Sequence, residues 1–546
     1  MVIGVAAGTF SNEFTYRKMV EKGEESKFDA LFEQAAKNAL ASFGKTWPMH
    51  IGPNQVTAQE LLEERSPIDR RILIGKFQKG TRENARAAIA EAKKAFVSWS
   101  ETDYKSRLAI FRKAVEKFRE RKFELAAILS YENGKSRYES VGEVDEAIDF
   151  INYYILEMEK NKGYSRKNVI AESSVKVKAG FQGAPADKLE KISIKLKPYG
   201  VFGVIAPFNF PVSISMGMSM GAMVTGNAVV FKPSSTDNMS MLTGLKIYEI
   251  LKEAGLPDGV FNYITGPGSE VGDELAISRD VSGIAFTGSR DTGMRMAARS
   301  YSQNAQKVFI VEMGGKNPVI ISKTADIESA VEGVVSAAFG FAGQKCSALS
   351  RVYVHESIKE VFLSKLIERA RGLKVGNPIS KENYIGPLIS ESAYNRYVES
   401  VEKAKSAGRL LYGGSRVGND LDGFYVEPAI VEIRHDHELV HKELFLPFIT
   451  VESFKDFGEA ISMANDVEYG LTAGMYSKSR AEIREFEKRI EAGTVYVNRA
   501  ISATTGAIVG MHTFVGWKGS SLTGKGTGSK FYLEQFMREQ SFSVTG

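Results

Sequence analysis

One thiol, one well-placed carboxylate and a few glycine turns carry the chemistry this sequence offers. Cys346, in GFAGQKCSALSR, is the sole cysteine of 546 residues. A thiol becomes a nucleophile when its pKa is lowered or a base stands nearby, and when substrate can reach it. Small and polar residues precede it, unlike a strand interior, and the neighbouring Lys345 is expected to favour the thiolate. The competing reading is a buried, inert cysteine packing as a small hydrophobe. No histidine presents itself as its base. Of six histidines, His435, His437 and His441 crowd one charged loop; their spacing makes no convincing metal site and suits solvent. Glu312 is the better candidate. It ends the apolar run VFIV and precedes Met-Gly-Gly-Lys, the strand-end position where α/β proteins place ligands. A strand-end glutamate in solvent would read the same way.

Weaker signals point to a dinucleotide. A strict Gly-x-Gly-x-x-Gly is absent, but Gly266, Gly268 and Gly272 follow the run FNYIT with one residue too many. A second loop, FTGSRDTG, follows GIAF, and Gly288 and Ser289 in it are placed to open a helix whose first amides bind phosphate. Glycine turns after strands are common, so each signal alone is modest. Lys232 ends AVVFK and suits either a phosphate or ribose contact or a plain strand exit.

These groups need a frame. From residue 201 onward short apolar runs alternate with helical stretches: VFGVIA, AVVFK, FNYITG, GIAFTG, VFIVEMGG, PVIIS, RVYVH. Repeated βα units predict a mostly parallel sheet with helices on both faces, and a second set follows Cys346. Residues 198–231 carry no charge. A membrane helix needs about 20 apolar residues, but Pro207, Pro211, Asn209, Asn227 and recurrent glycines break this stretch. It reads as strand 201–206, loop 207–211, helix 212–225 and strand 228–232, all buried. Upstream, Leu108, Phe111, Val115 and Phe118 form one helical stripe, and 28–43 behaves alike. Residues 168–200 alternate with period two around GAPADKLE, a long β-hairpin signal. The tail after 519 reads as a Gly- and Ser-rich loop followed by a packed strand or helix.

The chain exceeds the roughly 250–300 residues of a single core, so at least two large domains are expected. An apolar fraction of 43% and a charged fraction of 25% are ordinary, and a net charge of +5 marks no nucleic-acid partner. One cysteine permits no internal disulfide and suits a reducing, cytoplasmic setting. The N-terminus lacks the basic flank and apolar core of a signal peptide.

Six segments in register, PFNFP (207–211), KPSS (232–235), FTGS (286–289), EMGGKNP (312–318), GQKCS (343–347) and KELFLP (442–447), resemble the aldehyde dehydrogenase family. The separations fit as well: 34 residues from Glu312 to Cys346 and 97 from Cys346 to Glu443. The resemblance runs from about residue 60 to the C-terminus. It implies an α/β fold with a Rossmann-like cofactor domain (1–167 and 201–310), an α/β catalytic domain (311–518), and an oligomerisation element of hairpin and tail (168–200 and 519–546). It implies a homo-oligomer that oxidises a small aldehyde with NAD or NADP, without a metal, nucleic-acid or membrane partner. Cys346 would be the nucleophile, Glu312 the base, and Asn209 with the Cys346 amide the oxyanion donors. Ala206, Pro207, Phe208, Lys232, Ser235, Gly268, Gly288, Ser289, Glu443 and Phe445 would hold the cofactor.

Within the family the chain is most like enzymes acting on L-glutamate γ-semialdehyde, formed from 1-pyrroline-5-carboxylate. GQKCSALSR, VDEAIDFINYY and TGAIVG carry that likeness. Ser347, Gly506 and Ala507 would then take the substrate carboxylate, Phe210 and Phe514 flank its chain, and Glu146 face its amine. Three departures stand out. Leu446 replaces the glycine of Phe-Gly-Pro, which places bulk beside the nicotinamide ribose. Thr513-Phe514-Val515-Gly516 replaces Pro-Phe-Gly-Gly. Ser235 replaces an acid that would repel a 2′-phosphate, which admits NADP. Other substrates, a CoA-acylating enzyme and a catalytically silent protein on the same fold are the alternatives. The last is disfavoured by Cys346, Glu312 and Asn209 together, and acylation by the hydrolytic base.

Overall fold

The computed structural model of the chain describes every residue except 1–9, 165–189, 236–238, 419, 500, 502, 505–507 and 546. Its two large sheets have seven strands each. The first contains β1 (Met49–Ile51), β2 (Asn54–Val56), β3 (Val201–Ile205), β4 (Ala228–Lys232), β5 (Phe261–Tyr263), β6 (Val281–Thr287) and β7 (Val308–Glu312). Their spatial order is β7-β6-β3-β4-β5-β1-β2, with the first five parallel and the last two antiparallel additions. Successive strand residues feed opposite layers. Phe202 and Val204 enter the core beneath the helices of 104–160, whereas Val201 and Ile205 pack with Ala85, Ala88 and Ile89 of the helix Arg82–Glu101. A strand buried on both faces has no polar face to alternate with, which is why 198–231 reads as uniformly apolar. The intervening helix Ser213–Val224 is 12 residues long. Among the described residues no helix is long and apolar enough to cross a membrane.

The second sheet contains β8 (Asn317–Ile321), β9 (Leu349–His355), β10 (Arg409–Tyr412), β11 (Ala429–Glu432), β12 (Phe448–Phe454), β13 (Thr472–Tyr476) and β14 (Thr494–Val497). Its order is β10-β11-β12-β9-β8-β13-β14, parallel except for β10. Residues 313–316 carry the chain from the end of β7 to the start of β8. The C-terminal edge of one sheet thereby meets the N-terminal edge of the other, and the candidate residues Glu312 and Cys346 lie along that seam.

The predicted hairpin has a different described partner. Glu190–Pro198 is a strand, and it pairs antiparallel with Met537–Thr545 of the tail over its whole length. The other predicted arm lies outside the described residues. Alternation reveals a strand but not what it pairs with.

Candidate active site

Among the parallel strands of the first sheet the order reverses between β3 and β6, and ligands of such sheets sit beyond the carboxyl ends at that switch. The strand ends there are adjacent: Ile205 is in register with Lys232 and with Phe286, and Thr287 with Glu312. Ala206, Pro207, Phe208, Lys232, Gly288, Ser289 and Glu312 therefore emerge on one edge. Ser289 caps the helix Arg290–Ser302, accepting from the Thr292 amide at 3.4 Å. That helix start, with Glu443, lines a cleft of about 780 Å³. Gly268 opens the turn Gly268–Gly272, with free space where a side chain would stand. Lys232 is buried, and burial lowers its ammonium to about 8. Its Nζ and the Ser235 hydroxyl both donate to the Pro233 carbonyl, at 3.2 and 2.9 Å.

The second sheet supplies the thiol. Phe341, Ala342 and Gly343, just before Cys346, are all left-handed, with φ of 51°, 51° and 67°. For the two non-glycines this costs about 1–3 kcal/mol each, a strain of the kind held at functional sites. Gly343 is forced by space as well: a Cβ there would lie 2.2 Å from the Leu446 carbonyl. Buried Gln344 ties the loop down, accepting from the Ile389 amide and donating to the Pro387 carbonyl. Asn317, at the start of β8, donates to the carbonyls of Cys346 (2.8 Å) and Ala348 (2.9 Å) and accepts from the Thr472 amide (3.0 Å). Replacing Asn317 by Ala leaves those backbone groups buried and unpaired. We expect a loss of about 3 kcal/mol, read as a lower urea midpoint, together with reduced turnover.

Cys346 is half-buried. Its thiol is pushed up to about 12, first by burial and then by the Glu443 and Glu312 carboxylates. The expectation that Lys345 favours the thiolate is corrected here. The Lys345 ammonium turns to Glu139, 3.7 Å away, so its charge is spent on a carboxylate. In the free protein, alkylation by iodoacetamide should accelerate about tenfold per pH unit above neutrality. A rate that levels off near pH 7 would contradict this.

Glu312 is buried, and burial raises its carboxyl to about 8. Oε1 accepts from Ser521 Oγ at 3.3 Å, and Oε2 has no hydrogen-bond partner among the described residues. Ser520 holds the same turn, its carbonyl taking the Met313 amide and its hydroxyl donating to Gly314 O. The start of the tail thus packs on the base. No spacing rule connects Ser521 to Glu312, 209 residues earlier. Glu443 accepts from the Gly315 amide at 2.8 Å, and burial lifts it to about 7. The Asn209 side chain is buried and donates to Gln344 O at 3.1 Å, leaving its second N–H available.

Aromatic rings flank this seam. Phe208 and Phe445 meet edge to face at 5.9 Å, and Phe210 meets Phe341 at 6.5 Å. The Leu446 side chain does not crowd the cleft: Phe445 has φ 61°, and Leu446 turns into the core of the second sheet. Phe514 is half-buried and bridges to Thr527. Ser347 is buried, its carbonyl accepting from Thr504 Oγ1 at 3.0 Å. Gly506 and Ala507 lie outside the described residues. Glu146 sits two turns beyond Glu139 on the helix Arg137–Lys160, with burial raising it to about 7. The glutamate that reaches the nucleophile loop is Glu139, which reading the residues one by one passed over. Between them, Glu143 forms a buried ion pair with Lys135 and accepts from the Val212 and Ser213 amides, fixing the start of the helix that follows Asn209.

A strained cysteine loop and a buried carboxylate at a parallel strand end thus lie at the junction of the two sheets, beside a cleft lined by a capped helix start and Glu443. Residues 55–542 match the aldehyde dehydrogenase family, and the chain belongs to it. It is 36% identical over 509 residues to the 1-pyrroline-5-carboxylate dehydrogenase of Geobacillus sp. (strain WCH70), covering 92% of this chain and 94% of that protein. The crystal structure of 1-pyrroline-5-carboxylate dehydrogenase from Thermus with bound NAD superposes over the full length of both chains, with a TM-score of 0.86 and 32% identity. Proline utilization A from Bdellovibrio bacteriovorus gives a TM-score of 0.88 at 33% identity; this chain aligns throughout but spans 54% of that longer protein.

Proposed function

We propose that this enzyme oxidises L-glutamate γ-semialdehyde to L-glutamate with NAD or NADP, as its relatives' names suggest, in proline catabolism. The observation that carries the reading is the convergence of Cys346, Asn209 and Glu312 on one seam between the sheets. The first sheet body would hold the dinucleotide and the second the nucleophile. Ser289 and the following helix start suit its phosphates, Lys232 its adenosine ribose and Glu443 its nicotinamide ribose. Bound there, NAD or NADP would supply the hydride acceptor that the oxidation needs.

The Cys346 thiol gives up its proton to solvent as its sulfur adds to the aldehyde carbon, and the oxygen that becomes negative is held by Asn209 Nδ2 and the Cys346 amide. After oxidation the acyl group is a thioester. Glu312 takes a proton from water, the water oxygen adds to the acyl carbon, and the Cys346 thiolate leaves as the carboxylate product is released. The substrate's α-carboxylate would rest on Ser347 and the Gly506–Ala507 amides; the Thr504 bond to Ser347 brings the flank of that loop alongside. Ser235 in place of an acid, beside Lys232, supports use of NADP as well as NAD.

A cytoplasmic homo-oligomer fits these features. The ribbon of Glu190–Pro198 and Met537–Thr545 exposes Ile194, Phe542 and Val544, apolar surface that a second subunit would cover. Reduction of NAD and of NADP is to be measured with glutamate, succinate and propanal-type aldehydes. A strong preference for glutamate semialdehyde supports the reading. Equal rates with the others keep the Cys346 chemistry and discard the amino-acid assignment.

A further inference from the structure

The crowded histidine loop has a partner that its spacing does not disclose. His435, in the loop after β11, and His441, at the end of the short helix Glu438–His441, converge on Asp466, the C-cap of the helix Phe457–Asn465. One ligand atom from each lies within 4.8 Å of the other two. His437 does not join them; its ring accepts from the Leu439 amide and caps the helix.

Each imidazole has one ring nitrogen engaged by a fixed partner outside the cluster's side chains. His435 Nδ1 is 2.9 Å from the Tyr353 hydroxyl, and its Nε2 faces Asp466 Oδ2 at 3.1 Å. His441 Nε2 donates to the His435 carbonyl at 2.8 Å, which leaves Nδ1 with the lone pair. A hydrogen bond at the second ring nitrogen fixes tautomer and direction, and this is the common outer shell of histidine metal sites. Tyr353 is held in turn by the Arg351 guanidinium and lies against Met463 O. The Asp466 side chain is 73% exposed, so it is free to close the remaining gap. Two imidazoles and one carboxylate, with open positions for water, suit a divalent transition ion such as Zn²⁺ rather than Mg²⁺ or Ca²⁺, which prefer oxygen ligands.

We propose that His435, His441 and Asp466 form a transition-metal site at the rim of the cleft that Ser289 and Glu443 also line. His441 and Asp466 belong to the wall of that cleft. Binding places the ion between His435 Nε2 and the Asp466 carboxylate, and it joins the 435–441 loop to the end of the neighbouring helix. A metal there narrows the cleft, so Zn²⁺ acts against dinucleotide entry.

The test uses the full-length Cys346→Ser protein, so that the active-site thiol cannot take the metal. Titration with Zn²⁺ against a chromophoric competitor should show one equivalent bound. His441→Gln and Asp466→Asn should each weaken binding by at least about tenfold. His437→Gln, on the same loop, should leave it unchanged. Far-UV circular dichroism confirms that each variant is folded, and Co²⁺ binding should produce visible d–d bands that the first two variants lose. In the wild-type enzyme with its thiol free, subsaturating Zn²⁺ should raise the KM for NAD, and His441→Gln should abolish that rise. Unchanged Zn²⁺ affinity in folded His441→Gln and Asp466→Asn, or no bound equivalent in the parent, overturns the proposal. Binding at this site without any change in KM would overturn its effect on the cofactor.

Discussion

Cys346→Ser is expected to lower turnover by roughly four orders of magnitude while leaving dinucleotide affinity within about twofold. The substitution exchanges sulfur for the smaller oxygen in a half-buried pocket, so the loop keeps its anchors. Gln344 and Asn317 hold that loop through side-chain contacts that the 346 side chain does not share. What changes is the nucleophile. A serine hydroxyl ionises far less readily than a thiol, and the same two carboxylates and the same burial oppose an alkoxide more strongly than a thiolate. Among the described residues no histidine is hydrogen-bonded to the 346 side chain to compensate. The groups assigned to the dinucleotide lie mainly on the ends of β3, β4 and β6, away from the substituted atom. Initial rates of cofactor reduction, paired with calorimetric titration of the cofactor, separate the two effects. Turnover above about one per cent of the parent would mean that Cys346 is not the nucleophile.

How much of this was legible beforehand depends on how local each feature is. The strands from Val201 to His355 announce themselves because a parallel strand buried on both faces must be a short apolar run. The ends of those runs then locate Lys232, Gly288 and Glu312, since the chain leaves a sheet where the apolar run stops. Contacts between distant segments leave no such trace. Asn317 lies inside a recognised motif, yet its bonds to Cys346, Ala348 and Thr472 depend on how three strand ends align. Ser521 lies in a Gly- and Ser-rich stretch that reads as a plain loop. Lys345 shows the opposite failing: it adjoins Cys346 in the chain, but consecutive side chains point apart, and Glu139 takes its charge. Leu446 belongs to the same class. Its bulk reads as an obstruction until the left-handed Phe445 turns it into the core. The strand 190–198 was recognisable from alternation, whereas its pairing with 537–545 was not.

Glu312→Gln should convert a cycling enzyme into one that reacts once. The first half of the reaction needs the Cys346 sulfur and the oxyanion donors, and none of these is removed. The second half needs a base for water, and a Gln amide is not one. A burst of reduced cofactor close to one equivalent per site should therefore be followed by a steady rate about 10²–10⁴-fold below the parent. Mass spectrometry should find the acyl group on Cys346. The pH dependence follows from burial. A carboxyl raised to about 8 is mostly protonated at neutral pH and works only when ionised. Thioester hydrolysis in the parent should rise through about pH 8 and then level off, and the residual rate of the variant should lack that rise. Stability moves the other way. Because the folded pKa lies above the ordinary 4.5, the neutral carboxyl favours the fold below that value. That advantage is lost progressively from about pH 4.5, where the unfolded chain releases the proton, and is gone above about 8, where the charge forms in the buried site. Glu312→Gln has no charge to form, so its unfolding midpoint should gain steadily on the parent's between about pH 4.5 and 8 and gain no more above that. A burst without an acyl adduct, or an unchanged steady rate, would move the base elsewhere. An adduct that persists while the variant's midpoint gains on the parent's between about pH 4.5 and 8 establishes that one buried carboxylate sets both the deacylation rate and that part of the fold's pH dependence.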